Sequence, residues 1–180
     1  MKLIILDRDG VINFDSFGYI KSPEEFHPIP GSLEAIAELN RAGYHVVIAT
    51  NQSGVARGLY DLETLDRIHE KLIRELAAVG GYLDEIFFCP HHPDEACSCR
   101  KPQPGLFYRI RDKYSIDLSE TFFIGDTATD VEVALAVGCK PLLVLTGKIG
   151  EKAFIDYAPA ADVPRFKDLG EAVEFVLKQE

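Results

Sequence analysis

The chain predicts an α/β fold of Rossmann type, a mainly parallel sheet between two layers of helices. Two observations carry this. Short apolar runs alternate with amphipathic segments almost to the end of the chain, which implies right-handed crossovers and a sheet covered on both faces. Acidic and hydroxyl residues also gather just after several of those runs, at the strand carboxyl ends where such sheets bind ligands. The chain of 180 residues is 47% hydrophobic and 27% charged. That length and composition suit one globular domain over residues 1–180.

In order, Lys2–Leu6 reads as a buried strand that ends in Asp7 and Asp9. A polar loop follows over Asn13–Pro30, too short for a separate cap domain. Leu33, Ile36, Ala37 and Leu39 share one helical face, and Gly43 closes that helix. Tyr44–Thr50 is the second strand. Asp61 is a candidate N-cap for a helix with Leu62, Leu65, Ile68, Leu72, Ile73 and Leu76 on its apolar face. Glu85–Cys89 is the third strand, and a helix is expected from about Gly105 to Tyr114. Thr121–Gly125 is the fourth strand and Asp130–Val137 a helix closed by Gly138. Leu142–Leu145 is the fifth strand and Leu169–Leu177 a closing helix.

No apolar stretch is long enough to span a bilayer, and the first residues lack the pattern of a secretory leader. The chain is therefore expected in the cytoplasm, with no membrane partner. A formal charge of −10 argues against nucleic acid as a partner, because no basic face is evident. A small molecule is the expected partner and a monomer the expected state. An anionic substrate would need a metal ion or local cations to overcome that background.

The first chemical constellation is Asp7-Arg-Asp9-Gly10. In extended backbone, residues i and i+2 point to one face, so both carboxylates can converge on one ligand. A lone Asp at a strand end usually just caps a turn. Two of them, joined by Asp126 from another strand end, point instead to Mg²⁺, which takes hard oxygen ligands together with substrate phosphate. One acid can attack phosphorus while the other moves protons. Asp130 is open between supporting the metal and favouring the positive end of its helix.

The second constellation is Cys89-Pro-His91-His92, then Cys97-Ser-Cys99 and Arg100-Lys101. Three thiols and an imidazole in a polar loop match a closed tetrahedral Zn²⁺ site over residues 89–99. Chemistry alone does not choose between His91 and His92. Four protein ligands leave no open position, so the zinc would be structural and would fix where Arg100 and Lys101 project. Cys139 stands apart and reads as core.

Together, Asp7-Arg-Asp9-Gly-Val, Thr50-Asn51, Lys101 and Gly-Asp126-(three residues)-Asp130 resemble the four motifs of the haloacid dehalogenase-like phosphohydrolases. The resemblance runs from residue 3 to about 138. It implies strand order 5-4-1-2-3, Asp7 as nucleophile and Asp9 as general acid/base. Mg²⁺ would be held by the Asp7 carboxylate, the Asp9 backbone carbonyl and the Asp126 carboxylate. Thr50 and Lys101 would stabilise the transferring phosphoryl group, and the Cys-x-His pattern favours His91 as a zinc ligand. A zinc loop without a cap domain is similar to the branch holding the heptose 1,7-bisphosphate 7-phosphatases and the histidinol-phosphate phosphatases. Thr50-Asn-Gln-Ser-Gly-Val-Ala-Arg57-Gly and Phe17-Gly18-Tyr19 after Asp15 resemble the heptose group. Thr127 departs from it, because some of those enzymes carry a substrate-touching Lys there.

The implied substrate is a sugar bisphosphate of lipopolysaccharide-core synthesis, with Asp15, Tyr19, Asn51, Gln52, Ser53, Arg57 and Arg100 as candidate substrate contacts. A guanidinium at Arg57 or Arg100 suits the phosphate that stays on the sugar, while Gln52 and Ser53 would bind hydroxyls or shape the loop. Histidinol phosphate or another small ester is the competing substrate. A receiver-type signalling domain is the competing class, but receivers phosphorylate an Asp at the end of the third strand, where this chain has Cys89.

Overall fold

In the computed structural model, which describes residues 1–179, the elements are β1 (Leu3–Leu6), α1 (Ser32–Arg41), β2 (His45–Asn51), α2 (Leu62–Ala78), β3 (Glu85–Cys89), α3 (Gly105–Tyr114), β4 (Phe122–Gly125), α4 (Ala128–Val137), β5 (Lys140–Val144), β6 (Arg165–Phe166) and α5 (Leu169–Leu177). The sheet order is β3-β2-β1-β4-β5-β6 with every neighbouring pair parallel. That is the expected order with one strand added beyond β5. The segment between β1 and α1 carries a short 3₁₀ turn at Pro23–Glu25 and isolated bridges from Asn13 to Asp9 and Pro28.

Alternation along β1 builds the two cores. Ile4 and Leu6 pack with Leu33 and Ile36 of α1, Ile68 and Leu72 of α2 and Val173 of α5. Leu3 and Ile5 pack on the other face with Leu106 and Phe107 of α3 and Val133 of α4. β1 is fully covered on both faces, which is why it reads as an unbroken apolar run.

Several boundaries differ from expectation for local reasons. The two-residue β6 was missed because its pairing with Leu143 and Val144 is too short to leave a periodic signal. α4 begins at Ala128 rather than Asp130, because Thr127 and Asp130 form a reciprocal capping box. β5 starts at Lys140, whose N–H bonds the Thr121 carbonyl. Asp61 caps α2 as expected, accepting from the Thr64 N–H at 2.7 Å. Leu62 and Ile73, expected on the apolar face of α2, are half exposed, while His69 of that helix is buried.

Candidate active site

The ends of β1, β2 and β4 open into one cavity lined by Asp7, Asp9, Thr50, Lys101, Asp126 and Asp130. Asp7 continues the β1 ladder, its N–H bonding the Ile124 carbonyl at 2.9 Å. The Lys101 ammonium is buried between two acids, 2.9 Å from Asp7 Oδ2 and 2.7 Å from Asp130 Oδ1. The other Asp130 oxygen accepts from the N–H groups of Asp126 and Thr127 and from the Thr127 hydroxyl. Asp130 thus orients Lys101 and caps α4.

One ammonium does not balance three buried carboxylates. Burial, opposed by Lys101, leaves the Asp7 carboxyl pushed up to about 7. Burial, reinforced by Asp130 and Asp7, pushes Asp126 well above the usual carboxylate range. Carboxylate oxygens of Asp7, Asp126 and Asp130 lie within 4.8 Å of one another. Two glycines let backbone close on this point. A Cβ on Gly10 would stand 2.2 Å from Asp126 Oδ2, and one on Gly147 would stand 2.4 Å from it. Crowded oxygen donors with unmatched negative charge suit a small hard cation.

Asp9 is held differently. Its Oδ1 accepts from Arg8 Nε and Nη2 and from Asn13 Nδ2, and its Oδ2 accepts from Gln52 Nε2. Burial alone would raise its pKa, but the Arg8 charge and these bonds more than offset it and hold it below the ordinary value. Arg8 itself has no solvent exposure. Its Nη1 lies 3.1 Å from His69 Nε2. Arginine only donates, so that nitrogen must be the acceptor. Burial, helped by Arg8, lowers the His69 pKa to about 3, which keeps the ring neutral. Neither Arg8 nor His69 stood out in the sequence, since a surface Arg and a helical His look the same as these.

Around the rim, the cavity is also lined by Asp15, Tyr19, Asn51, Gln52, Ser53, Arg57 and Arg100. Asn51 holds the Lys101 backbone, donating to its carbonyl at 3.1 Å and accepting from its N–H at 2.9 Å. Gln52 is similarly committed, accepting from the Tyr60 hydroxyl at 2.7 Å and donating to Thr50 Oγ1 and Asp9. Arg57 donates weakly to Ser53 Oγ at 3.4 Å and lies over the Tyr19 ring. Tyr19 sits at φ 68°, a left-handed conformation that a bulky residue seldom adopts. Arg100 Nη1 is buried without a hydrogen-bond partner. Lys148, from the loop after β5, also lines the cavity. The strand-end rule that located Asp126 could have found it.

Three sulfurs and one imidazole nitrogen converge at the end of β3. Cys89, His91, Cys97 and Cys99 present donor atoms within 4.8 Å of one another. Sulfurs bound to one tetrahedral zinc stand about 3.8 Å apart, and Cys89 Sγ and Cys97 Sγ are 3.7 Å apart. His91 Nδ1 is 3.4 Å from Cys89 Sγ and 3.2 Å from Cys99 Sγ. The donor set fits zinc. His92 is turned away, with its Nδ1 accepting from the Asp94 N–H.

A HAD-hydrolase-like family model matches residues 98–172, which include Lys101, Asp126 and Asp130. A D-glycero-beta-D-manno-heptose-1,7-bisphosphate 7-phosphatase from Pseudomonas putida is 56% identical over 152 residues, covering 84% of this chain and 86% of its own. The chain belongs to this heptose-bisphosphate phosphatase family of haloacid dehalogenase-like hydrolases. Among solved structures of the family, the D,D-heptose 1,7-bisphosphate phosphatase of Bordetella bronchiseptica, complexed with magnesium and phosphate, superposes with a TM-score of 0.96. It is 48% identical and each chain is covered completely. The corresponding phosphatase from Burkholderia thailandensis is 41% identical with a TM-score of 0.77, covering 98% of this chain and 99% of its own.

Proposed function

We infer that the protein is a Mg²⁺-dependent phosphatase that removes the 7-phosphate of D-glycero-D-manno-heptose 1,7-bisphosphate, in ADP-heptose and lipopolysaccharide-core synthesis. The observation that carries the reaction is Asp7 beside the Lys101–Asp130 pair, with Asp9 held two residues away on the same cavity. The family relatives carry the substrate.

Asp7 attacks phosphorus, the ester P–O bond breaks, and the leaving O7 takes a proton from Asp9. The arriving phosphate dianion favours the protonated form of Asp9 for this step. Asp9, then a carboxylate favoured by Arg8, takes a proton from the water that attacks the phosphoaspartate. Inorganic phosphate leaves and Asp7 is restored. Lys101 Nζ and the Thr50 hydroxyl donate to the phosphoryl oxygens, and their fixed positions avoid reorganisation during transfer. Asp7, Asp126 and the Asp9 backbone carbonyl would hold Mg²⁺, which when bound neutralises charge on the phosphoryl group. Arg57, Arg100, Asp15, Tyr19 and Ser53 are the proposed substrate contacts. A structural Zn²⁺ on Cys89, His91, Cys97 and Cys99 would anchor the segment carrying Arg100. We place the enzyme in the cytoplasm as a monomer.

The test is phosphate release from both heptose 1,7-bisphosphate anomers beside histidinol phosphate, with and without Mg²⁺. Preference for a heptose bisphosphate is expected. Faster turnover of histidinol phosphate, or metal-independent release, would overturn the assignment.

A further inference from the structure

We propose that Lys148 is a specificity residue that, paired with Asp15 in the free enzyme, binds the phosphate that the sugar retains. This rests on the reading of the substrate as a sugar bisphosphate. Such a substrate brings two dianionic groups into a chain of net charge −10, and the transferring phosphoryl group already claims Lys101. The remaining cations lining the cavity are Arg57, Arg100 and Lys148. Arg57 stacks over Tyr19 and touches Ser53. Thr127, on the same wall as Asp126, brings no charge, and its hydroxyl is spent on Asp130 at 2.8 Å.

Lys148 stands on a loop that is fixed against the ends of β1 and β4. The Thr146 hydroxyl donates to the Gly10 carbonyl at 2.7 Å, and Gly147 packs against Asp126 so closely that a Cβ there would stand 2.4 Å from the carboxylate. The side chain therefore leaves a fixed base at the cavity wall. Its ammonium is 3.4 Å from Asp15 Oδ2 and 5.3 Å from the centre of the Phe17 ring, with the side chain 39% exposed. A contact that long and exposed is weak and readily exchanged. A phosphate dianion is the stronger partner for the ammonium. When Lys148 turns to it, the Asp15 carboxylate is released to accept from a sugar hydroxyl. The pair thus converts one resting ion pair into two substrate contacts.

The experiment compares Lys148→Met and Lys148→Arg with the wild type on heptose 1,7-bisphosphate and on heptose 7-phosphate, which lacks the retained group. Inhibition by the product heptose 1-phosphate is read alongside. Lys148→Met should raise KM for the bisphosphate about tenfold and weaken product inhibition by a similar factor, the scale of one partly exposed charge-assisted bond. Its kcat should hold, its handling of the 7-phosphate should change much less, and Lys148→Arg should recover most of the loss. Equal impairment on both substrates would show that Lys148 only supports its loop. Unchanged discrimination would show that it touches no phosphate. Either result overturns the proposal. The wild-type rates test the substrate reading separately, since failure to release phosphate from the bisphosphate would defeat that reading whatever the variants do.

Discussion

The carboxylate cluster after β1 and β4 and the thiol cluster after β3 lie along the same edge of the sheet and are built in opposite ways. Around Asp7, side-chain positions are set by the protein itself: Lys101 is clamped by two acids, Asp130 by three donors, and Asp9 by Arg8, Asn13 and Gln52. Around Cys89, the side chains meet mainly one another, through sulfur and imidazole contacts of 3.2–3.7 Å. Burial raises the Cys89 thiol, while the Arg100 and Cys99 N–H groups outweigh burial at Cys97 and lower that thiol. Such a group coheres once a metal replaces the thiol protons. The joint between the regions falls between Arg100 and Lys101. Lys101 is tied by Asn51 at its backbone and by Asp7 and Asp130 at its ammonium, whereas the Arg100 N–H contacts Cys97 Sγ at 3.4 Å. The thiol loop should therefore govern Arg100 more than Lys101, a narrower role than the sequence suggests.

The largest expected effect is at the self-supported cluster. Asp7→Asn should cut kcat by about four orders of magnitude or more, the scale of losing a nucleophile, with an unchanged circular-dichroism spectrum; substantial turnover would remove Asp7 from its role. Asp130→Ala strands the Lys101 charge and opens the α4 cap. It should lower kcat by roughly a hundredfold or more and destabilise by about 3–5 kcal/mol in denaturant titration. Full activity would mean that Asn51 and Asp7 hold Lys101 in place without Asp130. At the thiol cluster, Cys99→Ser should lose bound zinc and raise KM about tenfold through Arg100, with kcat changing by only a few-fold. A collapse of kcat would join the two regions that the hydrogen bonds separate.

A smaller effect comes from pH. Folding raises the Asp7 pKa from an ordinary value of 3.8 to about 7 and raises Asp126 as well. Without metal, these two acids hold more protons in the folded state than in the unfolded one between those values. Their own contribution to stability therefore falls as pH rises from about 4 to about 7, while the buried neutral His69 contributes in the opposite direction. A cation held by these carboxylates binds their deprotonated form, so stabilisation by Mg²⁺ in thermal melts should be larger at about pH 8 than at about pH 5.5. A pH-independent increment would mean that the cation does not sit on these carboxylates.

What the sequence made legible followed from period and position. The alternation of strands and helices and the polar strand ends located Asp7, Asp9, Thr50 and Asp126, because a buried run ending in acid is visible without any long-range information. Cys89, Cys97 and Cys99 were legible from spacing alone. The Arg8–His69 contact was not, since it joins residues 61 apart through packing that no local pattern encodes. Asn51 and Gln52 read as candidate substrate contacts, with Gln52 alternatively shaping its loop. Their commitment to Lys101, Tyr60 and Asp9 arises only once β2 pairs with β3 and the loop folds over it. Lys148 was hidden by distance in the chain, 141 positions after Asp7.

The central claim is that Asp7 carries the phosphoryl group between substrate and water. The stereochemical course at phosphorus tests it directly, using a heptose 1,7-bisphosphate analogue whose 7-position carries a thiophosphate chirally labelled with oxygen isotopes, turned over in water of the remaining isotope. Transfer to Asp7 and then to water inverts phosphorus twice, so net retention is expected. Net inversion would mean that water attacks the substrate directly, and would contradict the account.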